Sequence, residues 1–244
     1  MIDFSKYSSI KIGQPTEVLV VEKGDVIPRN RYLVGGANNL LLSPTPPPLM
    51  ILGKEFATIT QEEKMLIIGA ATPTGRILSY ARKHNIAGFE FCAKLPGTLG
   101  GMLAMNAGVK EYEMFNRLHS VKIDGKWINA KDIEHGYRYA RLNGVATEAK
   151  FEIKEGFSQQ LLKTLLSLRT NQPPQPSAGS VFKNPKGDYA GRLIEAARLK
   201  GVRKGGMQWS PIHANFLVNL GEGTFEEAIY LITLAKKEVK KLFG

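Results

Sequence analysis

"LPGTLGGMLAMNAGV", residues 95–109, places four glycines and two alanines in fifteen positions, yet it is too apolar for a linker and too long for a turn. Pro96 after Leu95 stiffens the approach. Gly97 and the Gly100–Gly101 pair, set around Thr98, free the backbone, and Ala104, Ala107 and Gly108 keep the segment around Asn106 thin enough for a flat anionic ligand to lie against it. A second bare stretch stands upstream. In "YLVGGANNLLLS", residues 32–43, an apolar strand meets Gly35 and Gly36, followed by Ala37, Asn38, Asn39 and Leu40. Successive N–H groups there can point outward as a nest for phosphate oxygens. A tight turn whose asparagines tolerate left-handed geometry is the other reading. Two such stretches imply two sides of one extended anion. Neither is a Walker A sequence or a G-x-G-x-x-G after a strand, which excludes the P-loop and Rossmann patterns.

Charge and composition agree with an anionic ligand. The 244 residues carry a net charge of +11, and the last 62 of them hold 11 basic and 6 acidic side chains. A phosphorylated small molecule, a dinucleotide or a nucleic acid would suit such a surface. The hydrophobic content of 43% is enough for a buried core. The first residues lack a signal-peptide pattern and no apolar run approaches a membrane span, so a cytoplasmic protein without a membrane partner is expected. Cys92 is the single cysteine and belongs to no metal-ligand spacing, so neither a disulfide nor a metal site is expected.

The local pattern mixes strands and helices. "EVLVV" (17–21) and "RYLV" (31–34) read as strands, and "PTPPP" (44–48) as a loop. A helix is expected from an N-cap at Thr72 through Pro73 to a stop at Gly88. Residues 119–130 form a hairpin around Asp124–Gly125, with a second hairpin-like pair after it. "SQQLLKTLLSLRTNQPPQP" is helical up to the connector at 172–176. Beyond it, Ala190–Leu199 reads as a helix stopped by Gly201, "HANFLVN" as a strand, and residues from Thr224 as a long helix with Thr224 and Glu227 as its capping box. The fold class is α+β.

"GGANNLLLS", "LPGTLGGMLAMNAG", "YRYA", "SAGSVFKNP", "AGRLIEAARLKG" and "HANFLVN" occur in the same order in the UDP-N-acetylenolpyruvoylglucosamine reductase family, also called UDP-N-acetylmuramate dehydrogenases or MurB proteins, which this chain resembles from about residue 10 to 240. The resemblance implies an FAD-binding fold of the vanillyl-alcohol oxidase type followed by a C-terminal α+β substrate domain. Residues 1–55 and 56–155 would be the two FAD-binding subdomains, and 156–244 the linking helix and substrate domain. It implies FAD as cofactor, NADPH as co-substrate and a UDP-sugar as substrate, in a monomer with no nucleic-acid partner. The implied reaction is hydride transfer from NADPH to the flavin and on to C3 of the enolpyruvyl group, with a proton delivered to C2. Ser180 matches the family's proton donor, and Arg138 the arginine that binds the carboxylate and stabilises the enolate. Lys183 and Asn184 match substrate-side positions, whereas His213 is either a substrate contact or a hydrogen-bonded structural histidine.

Three departures from the family accompany the resemblance. Lys94 stands where the family usually has glycine, and either brings a charge near the cofactor or alters the loop. Ala140 stands where "YRYA" usually continues with serine. The acidic residue that follows the family's last helix has no match in "KKLFG", so no catalytic glutamate is assigned and the chain resembles the shorter subtype. Two other readings are weighed beside this one: another FAD-dependent oxidoreductase of the same fold, and a basic non-enzymatic binding protein.

Overall fold

The computed structural model describes residues 1–244, which form two compact units. One comprises Val18–Gly36 and Pro47–Thr170; the other comprises Met1–Glu17, Ala37–Pro46 and Asn171–Gly244. These units are discontinuous in sequence and cut across the linear spans 1–55, 56–155 and 156–244.

The larger unit begins with a parallel three-stranded sheet, β1 (Val18–Val21), β2 (Tyr32–Leu33) and β3 (Leu49–Leu52), with β3 in the middle. Its main sheet is antiparallel. The strands β4 (Ile59–Glu62), β5 (Met65–Gly69), β6 (Leu118–Ile123), β7 (Lys126–Asn129) and β8 (Ala146–Glu152) run in the order β7-β6-β8-β5-β4. The alternation in β8 decides its faces. Ala149 and Phe151 are fully buried, with Phe151 packed edge-on against Phe89, and each such large apolar side chain contributes roughly 1.5–3 kcal/mol. On the opposite face, Glu148 pairs with Lys122 of β6 at 2.9 Å. Helix α1 (Thr74–Lys83) buries Ile77 and Ala81, the short helix α2 (Leu99–Ala104) buries Leu99, Met102 and Leu103, and α3 (Gln159–Ser167) buries Leu162 and Leu165.

Several expectations are met residue by residue. The hairpin turns at Asp124 and Gly125, whose φ values of 46° and 81° suit the tight two-residue turn. The second pair is His135–Gly136 with Tyr139–Ala140. Helix α1 differs at both ends from the sequence reading. Its N-cap is Pro73, without a side-chain cap bond, because the Thr72 hydroxyl donates to the Thr58 carbonyl instead. It ends at Lys83, and Asn85 with φ of 54° takes the left-handed position assigned to Gly88.

In the second unit β9 (Ser177–Ser180), helix α4 (Ala190–Ala196), β10 (Arg203–Lys204), β11 (Met207–Trp209), β12 (Phe216–Asn219) and helix α5 (Phe225–Phe243) follow the connector. The strands form an antiparallel sheet in the order β9-β12-β11-β10. Helix α4 also stops early, at Ala196, with Arg198 at φ 59° taking the left-handed residue expected at Gly201. The capping box of α5 is present in both directions, Thr224 to the Glu227 N–H and Glu227 to the Thr224 N–H. The N-terminal segment completes this core: Ile10 and Ile12 pack with Trp209, Leu217 and Leu231, and Asn219 donates to the Ile10 carbonyl at 3.0 Å. No helix is long and apolar enough to cross a membrane.

Candidate active site

In the larger unit, β2 leads into Gly35 and Gly36, and the glycine-rich stretch faces them through α2. A Cβ built on Gly35 would lie 2.9 Å from the Thr98 hydroxyl oxygen, inside contact distance, and 3.8 Å from the Gly101 nitrogen. Thr98 is the N-cap of α2 and accepts from the Gly101 N–H. The approach to it is fastened by Thr74, whose hydroxyl donates to the Leu95 carbonyl at 2.5 Å and whose N–H donates to the Gly97 carbonyl at 3.0 Å. Pro96 is exposed and Leu95 half-buried against the core.

The amides of this stretch are mostly committed. Leu99 donates to the Thr72 carbonyl and Gly100 to the Ala70 carbonyl, at 2.9 and 2.8 Å. The Asn106 and Ala107 amides donate to the Leu103 and Met102 carbonyls. The glycine pair therefore offers closeness rather than a row of donors. A Cβ on Gly100 would press on Ala70 at 3.3–3.4 Å, whereas one on Gly101 would meet nothing nearer than 3.7 Å. Lys94 is exposed with φ of +55°, the left-handed conformation that glycine adopts without strain. A glycine would take that conformation at less cost than a lysine.

Downstream, the Asn106 side chain is buried and Arg138 reaches the same loop. Arg138 donates from Nη2 to the Gly108 carbonyl at 2.8 Å and from Nη1 to the Asn106 carbonyl at 3.4 Å and to Glu113 Oε1 at 3.2 Å. The Tyr137 ring stacks on its guanidinium at 5.0 Å. Arg169 is shifted below the usual guanidinium value, first by burial and then by the positive charge of Arg138. Glu113 and Arg169 escaped the sequence reading, since neither stands in a recognisable pattern with Arg138.

In the second unit, Gly179 with φ of +79° makes the irregularity in β9 that separates the pairings Ser177↔Val218 and Ser180↔Phe216. Ser180 is thereby exposed at the strand end, beside a cavity of about 330 Å³ lined by Ser180, Asn184, Tyr189, Arg192, His213 and Asn215 among others. Asn184 also accepts from the Ala190 N–H at 3.0 Å, fixing the start of α4. Asn215 is buried and holds the strand beyond Ser180 in both directions, accepting from the Phe182 N–H at 3.0 Å and donating to the Phe182 carbonyl at 2.8 Å. It stands inside "HANF", where a polar residue in an apolar strand was the available signal.

His213 shares the cavity with Ser180. Its Nδ1 accepts from the Asn215 N–H at 3.3 Å, which leaves the neutral ring its proton on Nε2. Burial pushes its pKa below the usual histidine value, and the charge of Lys200 adds to that. Arg192 is paired with Asp188, whose carboxyl the arginine and the Tyr189 N–H hold down to about 2. Lys183 is exposed and does not line this cavity.

The remaining glycine-motif residues are divided by the unit boundary. Gly35 and Gly36 belong to the larger unit and Ala37 to Leu40 to the other, where the Ala37 carbonyl accepts from Ser9 N–H at 3.2 Å and the Asn38 amide donates to the Ser9 hydroxyl at 2.6 Å. Ala37 is left-handed at φ 50° and Asn39 is exposed. Arg138 and Ser180 likewise lie in different units.

Comparison with known proteins gives a consistent picture. The family described as UDP-N-acetylenolpyruvoylglucosamine reductase, C-terminal domain, matches residues 171–244. The UDP-N-acetylenolpyruvoylglucosamine reductase of Helicobacter hepaticus is 46% identical over 248 residues, covering 100% of this chain and 94% of the relative. That of Helicobacter pylori is 43% identical over 243 residues, with the same coverage. The crystal structure of the Thermus caldophilus enzyme superposes with a TM-score of 0.86 at 29% identity, covering 97% of this chain and 94% of that one.

Proposed function

The chain belongs to the UDP-N-acetylenolpyruvoylglucosamine reductase family, and on that premise we propose that it reduces the enolpyruvyl group of UDP-N-acetylglucosamine enolpyruvate to UDP-N-acetylmuramate, a precursor of peptidoglycan. The cofactor is FAD and the co-substrate NADPH. The observation that carries the reading is 46% identity over 248 residues to such a reductase, combined with Ser180 at the edge of a cavity.

The residues present suit an extended dinucleotide. Gly35 approaches Thr98 so closely that any side chain would fill the gap, and Gly101 leaves the flank of α2 bare. Gly35, Gly36, Ala37, Asn38, Asn39 and Leu40 would hold the cofactor on one side, and Leu95 to Thr98, Gly100, Gly101 and Asn106 to Gly108 on the other. In this scheme 1–55 and 56–155 act as cofactor subdomains and 156–244 as the substrate part. Bound FAD supplies the redox chemistry, a hydride taken from NADPH and passed to C3 of the substrate.

The chain's own residues supply the rest. Arg138 presents a permanent planar cation, suited to a carboxylate and to the negative charge that develops beside it. Ser180 gives a proton from Oγ to C2, so that hydride at C3 and proton at C2 together saturate the double bond. A lone hydroxyl is a poor acid, and neighbouring polar groups of the cavity must support it. His213, with Nε2–H available, and Asn184 donate or accept along the substrate, and Lys183 provides a positive charge for its diphosphate. The reading extends to a cytoplasmic monomer without nucleic-acid or membrane partner.

The test separates two half-reactions in the FAD-loaded protein. Ser180→Ala should leave flavin reduction by NADPH within about twofold and slow reoxidation by substrate about 100-fold or more. Arg138→Lys should impair the same half by about tenfold or more, because an ammonium lacks the fork. Failure of the purified chain to bind FAD, or equal loss in both halves, would overturn the assignment.

A further inference from the structure

Arg138 is held from several sides, and one of its partners has no part in the reading above. We propose that Glu113 is the positioning residue for Arg138, its carboxylate setting the guanidinium so that one edge faces the substrate carboxylate. The inference rests on the carboxylate-binding reading of Arg138. Glu113 accepts from Arg138 Nη1 through Oε1 at 3.2 Å and from Asn106 Nδ2 through Oε2 at 2.9 Å. Nη1 also donates to the Asn106 carbonyl and Nη2 to the Gly108 carbonyl. These bonds engage Nη1 and Nη2 and do not involve Nε. Nε–H and the Nη2–H beside it lie along one edge, the pair that donates side-on to a carboxylate.

The surrounding residues make the carboxylate specific. Asn106 is 1% exposed; its Oδ1 accepts from the Phe115 N–H at 3.0 Å, and Nδ2 donates to the Gly136 carbonyl at 3.1 Å as well as to Glu113. Only this amide orientation satisfies all three bonds, so Asn106 and Arg138 both present donors to Glu113. A carboxylate accepts at both oxygens; a carboxamide must turn a donor toward one of them. Glu113 pairs with Gly108 across the short hairpin of Gly108–Val109 with Tyr112–Glu113, where a Cβ on Gly108 would lie 2.1 Å from the Tyr112 carbonyl oxygen, 2.7 Å from the Glu113 Cα and 2.9 Å from its Cγ. Glycine there lets the two backbones approach closely, which brings the Glu113 side chain up to the loop. Arg138 itself has φ of +61°, a conformation that surrounding contacts must impose on a non-glycine residue.

The experiment uses the FAD-loaded full chain with E113Q, E113D, R138K and E113Q/R138K. Flavin absorbance follows reduction by NADPH and reoxidation by the enolpyruvyl substrate in separate single turnovers. E113Q should slow reoxidation by about tenfold or more through misplacement of the fork, while reduction stays within about twofold. E113D should recover part of the rate, and E113Q should add little to the loss in R138K, because both act through one guanidinium. Wild-type reoxidation in E113Q, equal losses in both halves, or losses that multiply in the double variant would overturn the inference. Should E113Q not retain FAD, E113D carries the test: slowed reoxidation alone supports the inference and a wild-type rate overturns it. A wild-type rate in R138K would remove the carboxylate reading of Arg138 itself; slow R138K with normal E113Q would remove only Glu113.

Discussion

Gly35→Ala tests the closeness of the two glycine-bearing loops with a single methyl group. Gly35 does not use a left-handed backbone, so alanine fits its φ and ψ, and the loss of chain freedom in the unfolded state stabilises by about 0.4–1 kcal/mol. Against this, the new Cβ would sit 2.9 Å from Thr98 Oγ1, and Thr98 must rotate or retreat. Its N-cap bond to Gly101 is long, at 3.4 Å, so losing it costs about 0.5–1 kcal/mol, the low end for a cap. The two effects nearly cancel. The melting midpoint without flavin should therefore stay within about 4 °C of wild type. Flavin affinity should fall at least about tenfold, or ~1.4 kcal/mol, because the methyl displaces Thr98 and the glycine-rich loop that would face the cofactor. Differential scanning and flavin titration of the stripped protein measure the two quantities separately. The cycle is closed with Thr98→Ala, which removes the atom that the methyl strikes: G35A/T98A should bind flavin better than the sum of the single losses allows. Unchanged flavin affinity in G35A, or strict additivity in the double variant, would refute the close-approach argument.

Lys94→Gly should raise stability by up to about 1 kcal/mol in a thermal melt, the left-handed penalty of a side chain less the entropy of glycine, while Lys94→Ala should give no rise; weaker flavin binding in both variants would make Lys94 a cofactor contact instead. The Cys92 thiol is pushed up to about 12 by burial and then by the Glu90 charge, so a thiol reagent at pH 8 should label it only after denaturation, and rapid labelling of the native chain would contradict that burial. His213 has a folded pKa below its usual 6.5, so the unfolded chain binds the proton more tightly; its contribution to stability is complete above about pH 6.5 and is lost as the pH falls. Urea unfolding from pH 7.5 to 5 should show a steeper decline for wild type than for His213→Gln, and parallel declines would exclude the histidine.

Local signals in the sequence succeeded where their cause was local. The Asp124–Gly125 turn and the Thr224–Glu227 capping box both involve residues within a few positions of each other, and both stand where the sequence places them. The ends of α1 and α4 differ from the sequence reading for a structural reason. Gly88 was read as a helix stop, yet a Cβ there would strike the Arg117 side chain at 2.2 Å. Its bareness accommodates a residue far along the chain, and Asn85 ends the helix. Gly201 has a positive φ of 80°, but Arg198 has already turned the chain. Nor could spacing reveal that Ile10 and Ile12 share a core with Trp209, or that Glu113 joins Asn106 to Arg138, because those contacts depend on strand pairing.

The same distinction alters what the stretch 95–109 says about a cofactor. Its four glycines looked like one feature with one purpose, but each lacks a side chain for a different reason. Gly97 has φ of 133°, which only glycine takes readily. Gly100 lies against Ala70, and Gly108 against the Tyr112 carbonyl and the Glu113 backbone. Gly101 alone of the helix pair has room for a Cβ, at ordinary contact distance from Thr98, and the amides of Leu99 and Gly100 are spent on the carbonyls of Thr72 and Ala70. Most of the bareness is thus internal packing that brings α2 up to Gly35, and a ligand profits from the resulting closeness more than from the glycines themselves. Substitutions at Gly97, Gly100 and Gly108 should therefore damage folding along with flavin binding, whereas Gly101→Ala should lower flavin affinity with little change in the melting midpoint of the flavin-free chain. Loss of stability in Gly101→Ala comparable to that in Gly100→Ala would show that the pair acts as a single packing element and that no open flank exists.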